Sequence, residues 1–317
     1  MQKNTHVKFT VEPAKSGERL DKVIINHVGD AFSRSQIQAL IKAGVVQVDG
    51  ETAKAGWRLK GGEKIEFTVT TQEQTEVIEP EPIPLDIIYE DESLAVINKP
   101  AGLVVHPGTG GEKGTLAHAI LARYPEISLM NYAPQRRGIV HRLDKDTSGL
   151  ILVARTERAL RKLLAQFQQR TVDKTYVALC EKAPATMVGR VDAPIARDTL
   201  NRKKMVVRRD GRPAVSEFQV IERFKDGRAL VSVNLLTGRT HQIRVHMAFI
   251  NAPLVGDLVY GHRKQRLPLR RQFLHATKLC FDHPVTQERV CFESPLPENL
   301  SQILADLRRE TGSLPSR

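Results

Sequence analysis

The stretch from Thr71 to Pro84, Thr-Gln-Glu-Gln-Thr-Glu-Val-Ile-Glu-Pro-Glu-Pro-Ile-Pro, is acidic, places proline at three of its last five positions and follows neither the helical nor the strand period. A single core cannot run through such a segment. The 317 residues are therefore expected to form two units, a small one over 1–77 and a larger one over 85–310, with 78–84 as linker. Charge divides in the same place. Residues 1–77 carry 11 Lys and Arg against 10 Asp and Glu, and residues 78–317 carry 37 against 26, so nearly all of the net +12 lies in the larger part. A polyanion is the partner class that such a surface suits.

With 41% hydrophobic residues the chain can bury a core, which excludes a disordered or collagen-like protein. It has no apolar run near the roughly 18–20 residues needed to span a bilayer, and Met1 to Lys8 lacks the apolar centre of a secretory signal. A soluble, cytoplasmic protein with no membrane partner is expected. Cys180, Cys280 and Cys291 are too few and too widely spaced for a disulfide framework or a zinc site, so they are expected to be unpaired and no metal is expected.

In the small part, Leu20, Val23, Ile24 and Val28 recur at helical spacing, as do Ile37, Leu40 and Ile41 after a Ser33 to Gln36 capping box, with Gly44 closing the second helix. Val45 to Gly50 reads as a short strand into an Asp-Gly turn, and Lys64 to Thr70 alternates as a half-buried strand. Arg19-Leu-Asp21, Ser33-Arg-Ser35, Ile41-Lys-Ala-Gly44, Val46-x-Val-Asp-Gly50 and Leu59-Lys-x-Gly-x-Glu63 follow the order and spacing of S4-type RNA-binding domains, and the resemblance covers residues 16–68. It implies that the second helix and the turn before it lie on RNA, with Arg34, Ser35 and Lys42 touching phosphate or sugar. A merely solvated basic face would look the same residue by residue.

The central feature of the large part is a polar loop, His141 to Gly149, between the apolar runs Gly138 to Val140 and Leu150 to Ala154. A loop held by strands is a place where a scaffold can fix a reactive side chain. Asp144 and Asp146 could be a glycosidase-like pair, and His, Ser and Asp are all present for a hydrolase triad. Ser148, however, stands in Thr-Ser-Gly and not in a Gly-x-Ser-x-Gly elbow, and closely spaced carboxylates often only order a turn. A solvated turn with internally paired charges is the remaining plain reading. Downstream, Tyr176 alternates with Ala178 and Cys180 as on a half-buried strand. Val231 to Leu235 reads as a strand, and Thr240 is expected to cap a helix whose apolar face holds Ile243 and Met247, with Arg244 near its beginning.

The loop His141-Arg-Leu-Asp-Lys-Asp-Thr-Ser-Gly149 resembles the catalytic signature of the ribosomal large-subunit (Rlu) pseudouridine synthases. Asp173 to Leu179 and Leu236-Thr-Gly-Arg-Thr-His-Gln-Ile-Arg-Val-His246 are similar to that family's second and third motifs. Leu85 to Asp91, Ile97 to Pro107 and Pro253 to Asp257 extend the likeness to residues 85–300. It implies an α+β fold, in which a small N-terminal S4-like αβ domain precedes a catalytic domain with a largely antiparallel mixed central sheet. It further implies Asp144 as the essential carboxylate, Arg244 as its basic partner, Tyr176 stacking on the target uracil, and Arg142 filling the gap left by an extruded base. His141, Thr147, Arg239, His241 and Gln242 are expected to shape the pocket or touch the RNA backbone.

The implied reaction breaks the N1–C1′ bond of uridine, turns the retained base and joins C5 to C1′. It involves no net redox change, so no cofactor is expected. A carboxylate can serve by attacking C1′, attacking the base or acting on a sugar proton. It must be ionised, and a buried carboxylate stays ionised only with a partner, which Arg244 would supply as a planar fork. A stacked base must leave its helix before this chemistry can reach it.

Within the family, Val104-Val-His-Pro-Gly108, Gly138 to Val140, Ala193 to Ile195, Lys204-Met205 and Gly211-x-Pro-Ala214 look most like the D-type branch, which modifies the helix 69 hairpin of large-subunit ribosomal RNA. The expected partner is that RNA or a pre-ribosomal particle, met by a monomer. A C-type or transfer-RNA branch is the nearest alternative, and a noncatalytic RNA chaperone or assembly factor a more distant one. Arg197 to Pro213 reads as a basic hairpin and Gly261 to Arg271 as a second cationic loop, both suited to RNA. Gly108 to Gly114 lacks the ending and spacing of a phosphate-binding P-loop, and no Gly-x-Gly-x-Gly loop follows a strand as a methyltransferase would need. The stripes Leu160, Leu163, Leu164, Phe167 and Leu300, Ile303, Leu304, Leu307 are expected to be core.

Overall fold

The computed structural model describes residues 3–28, 34–54, 56–71, 78–107, 113–130, 136–201, 204–262 and 267–314, with backbone alone at 3–5, 34–36, 69–71 and 313–314. The chain divides into Met1–Val77 and Ile78–Arg317. The first unit contains β1 (Lys3–Thr10), α1 (Leu20–Val28), α2 (Arg34–Lys42), β2 (Gln47–Val48), β3 (Glu51–Thr52) and β4 (Lys64–Thr71). Its strands form an antiparallel sheet in the order β1-β4-β2-β3.

The helical stripes meet this sheet in one core, which joins Leu20, Val23 and Ile24 to Ile37, Ile41, Ile65 and Phe67. Buried Asp21 ties the two helices together, accepting from Arg19 Nε at 2.9 Å and from Gln38 Nε2 at 2.9 Å. Helix α2 ends as expected at Gly44 (φ +73°), with the Gly44 and Val45 amides returned to the Ile41 and Leu40 carbonyls, the pattern of a Schellman cap. The Ser33 capping box lies outside the described residues. Strand β1 went unread in the sequence because only Val7 and Phe9 alternate with its polar residues.

The second unit begins with β5 (Ile87–Glu90), β6 (Leu94–Lys99), α3 (Leu116–Arg123), β7 (Ser148–Ala154), α4 (Glu157–Gln169) and β8 (Asp173–Cys180). It continues through β9 (Val188–Asp192), β10 (Ile195–Arg197), β11 (Met205–Val207), β12 (Val215–Phe224), β13 (Ala229–Leu235) and α5 (Gln242–Phe249). It closes with β14 (Leu274–Asp282), β15 (Arg289–Glu293), α6 (Glu298–Thr311) and β16 (Ser313–Leu314). The central sheet runs β16-β12-β13-β8-β14-β7-β6-β5, with β15 on β14 and β9 on β12, and every pairing is antiparallel except β14 with β7. This is the mixed, largely antiparallel sheet expected of the fold. The α4 and α6 stripes pack into separate cores, as their spacing predicted.

Three expectations are corrected. Residues 78–84 are docked and not a free linker: Ile78 packs against the core of β6 and β7, the Glu81 amide donates to the His118 carbonyl, and the Glu81 carboxylate accepts the Gly114 amide. Cys280 and Cys291, expected to be unpaired, face each other across β14 and β15 with Cα atoms 4.1 Å apart and are joined by a disulfide, while Cys180 is a buried thiol. Their 11-residue separation is the length of a hairpin, and strand register brings them opposite. Thr240 does not cap α5, because His241 occupies the N-cap position in the left-handed region (φ +57°).

Candidate active site

The loop from Gly138 to Gly149 is pinned at both ends by glycine. Gly138 (φ +74°) accepts the Ala154 amide, and a Cβ there would stand 2.2 Å from the Ala154 carbonyl oxygen. Gly149 (φ +115°) lies where β7 meets β14, and its Cβ would stand 2.3 Å from the Ala276 carbonyl oxygen. No other residue fits either place without moving backbone. Between these pins the fully buried Lys99 Nζ donates to the Pro100, Leu103 and Lys145 carbonyls, at 2.8, 2.9 and 3.0 Å. Burial pushes the Lys99 pKa down to about 8, against the pull of Asp146 and Asp144. Leu143 is buried in a core that includes Tyr176, which sets the next side chain, Asp144, at the edge of that core.

Asp144 Oδ2 accepts a hydrogen bond from Arg244 Nη1 at 3.2 Å, across 100 residues of sequence. The Asp144 side chain is 19% exposed and that of Arg244 is 7% exposed, so the pair is sheltered with the carboxylate on the reachable side. The other edge of the guanidinium is bound bidentately by Asp257, through Nε at 2.7 Å and Nη2 at 2.9 Å. Fully buried Asp257 also accepts the Val259 and Tyr260 amides, at 2.9 and 3.0 Å. Burial opposes the charge of Arg244, yet the hydrogen bonds and charge of Asp257, together with Asp144, outweigh it and raise the pKa. For Asp257 burial works upward, and Arg244 outweighs it and lowers the carboxyl pKa. One cation thus serves two carboxylates. Asp257 is saturated by its donors, whereas Asp144 keeps an oxygen for other chemistry.

Tyr176 lies on β8 in the same core as Leu143, and burial first, then the charge of Asp144, push its phenol well above the usual value. The ring is therefore a neutral aromatic surface beside a carboxylate at any ordinary pH. His241 Nε2 faces Asp144 Oδ1 at 4.0 Å, and burial lowers the imidazole pKa against the pull of Asp144. The arrangement offers a partly exposed carboxylate, fixed on one oxygen, next to a neutral aromatic ring that keeps its phenol proton, a constellation suited to attack or proton transfer on a flat ligand.

Residues 93–249 match the family model described as RNA pseudouridylate synthase, and residues 18–65 match that of the S4 domain. The chain is 44% identical to the uncharacterized RNA pseudouridine synthase YlyB of Bacillus subtilis, over 96% of this chain and 98% of that one. It belongs to the RNA pseudouridine synthases. The synthase is also 43% identical to ribosomal large subunit pseudouridine synthase D of Xanthomonas campestris, over 95% of this chain and 92% of that one. Among solved structures it is similar to human RNA pseudouridylate synthase domain containing 4, with a TM-score of 0.55 and 27% identity over 70% of this chain and 92% of that one.

The synthase thus brings together Asp144, Tyr176, and the His241–Arg244 pair from three separate stretches. Arg142 is exposed at the mouth of the loop, and its charge, after burial, helps push the nearby His106 down to about 4. Other expected contacts turn inward. Half-buried His141 accepts the Leu152 amide at 2.9 Å and stacks on Phe167, and burial pushes its pKa down to about 3. Thr147 is buried and accepts from Gln272 Nε2 at 3.0 Å.

Buried Gln242 donates to the Val215 carbonyl and to Ser216 Oγ and accepts from Thr237 Oγ1 and the Arg239 amide, so it braces the loop before α5. Arg239 is half-buried and donates to the Pro213 carbonyl at 3.0 Å. Lys42 is exposed at the end of α2, while the side chains of Arg34 and Ser35 lie outside the described residues. Asp257 was missed as a site residue, although its place after the apolar Pro253 to Gly256 was a signal: an acid in apolar company needs a buried cation. The basic segments form a β10–β11 hairpin, with residues 202–203 outside the described set, and a loop of which 263–266 are outside it. Of Gly108 to Gly114, residues 108–112 lie outside it as well. Among the described residues no cluster of His, Cys, Asp and Glu suits a metal ion, and no helix is long and apolar enough to cross a membrane.

Proposed function

We propose that this synthase converts uridines of large-subunit ribosomal RNA to pseudouridine, in the helix 69 hairpin, with Asp144 as the carboxylate that acts on the nucleotide. The observation that carries the chemistry is the Asp144–Arg244 pair beside the Tyr176 ring. The observation behind the target is the near full-length likeness to relatives named large subunit pseudouridine synthase D, at 42–43% identity.

The target uridine leaves its stack, exposed Arg142 takes the vacated space, and the uracil lies on Tyr176. Attack on C1′, attack on the base and removal of a sugar proton all require Asp144 ionised and near the nucleotide, and Arg244 meets the first requirement by charge and the second by direction. When the N1–C1′ bond breaks, the detached uracil is held by its flat face. It turns until C5 faces C1′, the C5–C1′ bond forms, C5 gives up its proton, and N1 acquires one. No cofactor enters this balance. Arg34, Ser35 and Lys42 of the S4 domain add sequence-independent grip on the RNA. The enzyme acts as a cytoplasmic monomer on the RNA or its pre-ribosomal particle.

Carbodiimide adducts with reverse-transcription stops test the reading directly on RNA from cells with and without the protein. Loss of stops in the helix 69 hairpin is the expected result. Loss elsewhere would keep the reaction and replace the target, and an unchanged map together with inactivity of the purified protein on the same RNA would overturn both.

A further inference from the structure

A line of hydrogen bonds leaves the site by a route that the chemistry above does not use. The Met205 amide, on β11 of the basic hairpin, donates to Tyr260 Oη at 2.8 Å. That oxygen lies 2.9 Å from His241 Nδ1, and the opposite ring nitrogen, Nε2, faces Asp144 Oδ1 at 4.0 Å. Tyr260 is itself held on three sides: its amide donates to Asp257, its ring lies under the Arg244 guanidinium at 5.1 Å, and its edge meets the His241 ring at 5.7 Å.

We propose that Tyr260 is a positioning residue that acts through His241, fixing the orientation of the Asp144 carboxylate and tying it to the basic hairpin. The inference rests on Asp144 being the reacting carboxylate. A phenol has one proton to give, and the Met205 amide already occupies one acceptor position on its oxygen. With the Tyr260 proton directed to His241 Nδ1, the neutral imidazole carries its own proton on Nε2, where the positive end of the N–H dipole points at Asp144. The other tautomer would set the Nε2 lone pair against a carboxylate oxygen. At 4.0 Å the contact is too long for a hydrogen bond, but the dipole still favours one setting of Oδ1 while Arg244 holds Oδ2. Both oxygens of Asp144 are thereby directed.

The hairpin end of this line is well placed to sense RNA. The base of the hairpin packs by Ile195, Met205 and Val207 around Val245 of α5, the residue after Arg244. Beyond β10, Asp198 accepts the Leu200 and Asn201 amides at 2.8 and 3.3 Å, and Leu200 is 97% exposed. A nucleic acid held along β10 and β11 displaces β11, and the Met205 amide carries that displacement to Tyr260 and on to the carboxylate.

Tyr260→Phe keeps the ring under Arg244 and removes only the hydroxyl. On in vitro transcribed large-subunit RNA its single-turnover rate should fall roughly tenfold, the net worth of one hydrogen bond, while the dissociation constant for the RNA stays the same. His241→Asn, which tolerates the left-handed backbone, should lose a similar factor, and the double variant should be no slower than the slower single one. Additive losses, or a Tyr260→Phe protein at full speed, would overturn the relay. Asp144→Asn assayed alongside separates the two levels: its inactivity beside an unimpaired Tyr260→Phe removes the relay alone, whereas its activity removes the reading underneath. In the unmodified protein, nitrogen-15 spectra of labelled histidine should show His241 protonated at Nε2 and bare at Nδ1, and the reverse assignment would refute the proposal without any substitution.

Discussion

Arg244 and Arg228 occupy nearly equivalent electrostatic positions in the larger unit, each a buried guanidinium between two carboxylates. Arg228 donates to Asp226 at 2.7 Å and to Glu181 at 3.4 Å; Asp226 is two residues away across the turn at Gly227, and the Glu181 side chain is only 5% exposed. Its work is finished once the turn into β13 is closed. Arg244 has one partner that is equally spent, the fully buried Asp257, and another that comes from a distant loop and stays 19% exposed. Burial and pairing of charge are therefore common to scaffold and site. What separates them is not exposure, since the Asp226 side chain is 26% exposed, but bonding: both Asp226 oxygens accept from Arg228, at 3.1 Å from its amide and 2.7 Å from Nη1, whereas Arg244 holds only Oδ2 of Asp144 and leaves Oδ1 for a ligand.

The most severe way to break this comparison is to remove the reachable carboxylate. Asp144→Asn keeps an oxygen for Arg244 but loses the charge, and turnover should drop by a factor on the order of 10⁴ with RNA affinity nearly unchanged. Multiple turnovers by this variant, measured by release of tritium from 5-tritiated uridine in RNA, would remove Asp144 as the reacting group. The next test exchanges the roles of the two arginines. Asp257→Ala strands a buried guanidinium and should cost about 3–5 kcal/mol of stability as well as most of the activity. Asp226→Ala, at a carboxylate whose side chain is 26% exposed, should cost about 1 kcal/mol or less and leave the rate intact. Urea unfolding and single-turnover rates on both variants measure the contrast, and a rate loss at Asp226 would erase it.

Much of this arrangement was legible in the residues. The stripes of α4 and α6, the alternation of β4 and β8 and the polar loop between two apolar runs all follow from local periods, and the motif likeness joined Asp144 to Arg244 and Tyr176. The motif likeness did not reveal the direction in which each side chain points. Thr147 and His141 stand within the matched blocks yet spend their polar atoms on the scaffold that holds the loop pinned by Gly138 and Gly149, and Gln242 does the same for the loop before α5, because buried polar groups must find partners. Asp257 and the Cys280–Cys291 bond depend on contacts that no local period encodes. The docking of residues 78–84 was hidden for a related reason: an acidic, proline-rich composition says that a segment forms no element of its own, not that it lies on nothing.

A smaller effect should come from the ring beside the reachable carboxylate. Tyr176→Phe retains the flat face and should lose less than about tenfold in rate, whereas Tyr176→Leu gives up a stacking surface worth about 1–3 kcal/mol per base. Equal losses from both would place the phenol proton, and not the ring, at the centre of its role. Single-turnover rates at saturating RNA distinguish these outcomes.

The smallest expected effect concerns acid, which cannot discharge either arginine but does act on the histidines near Asp144. Burial holds His141 down to about 3 and His106 to about 4, against an ordinary value of 6.5. The unfolded chain therefore takes up protons through pH 6.5 that the folded protein refuses until pH 3–4. Stability from these two groups is complete above about pH 6.5 and declines as the pH falls toward 4. Thermal unfolding between pH 7 and 4.5 should show the midpoint falling on that side. His141→Phe, which gives up the bond from the Leu152 amide, should begin about 2–4 °C lower at pH 7 and then fall less steeply. Parallel slopes in the two proteins would mean that His141 titrates freely, and the loop carrying Asp144 would then be no better sheltered from water than the turn that holds Arg228.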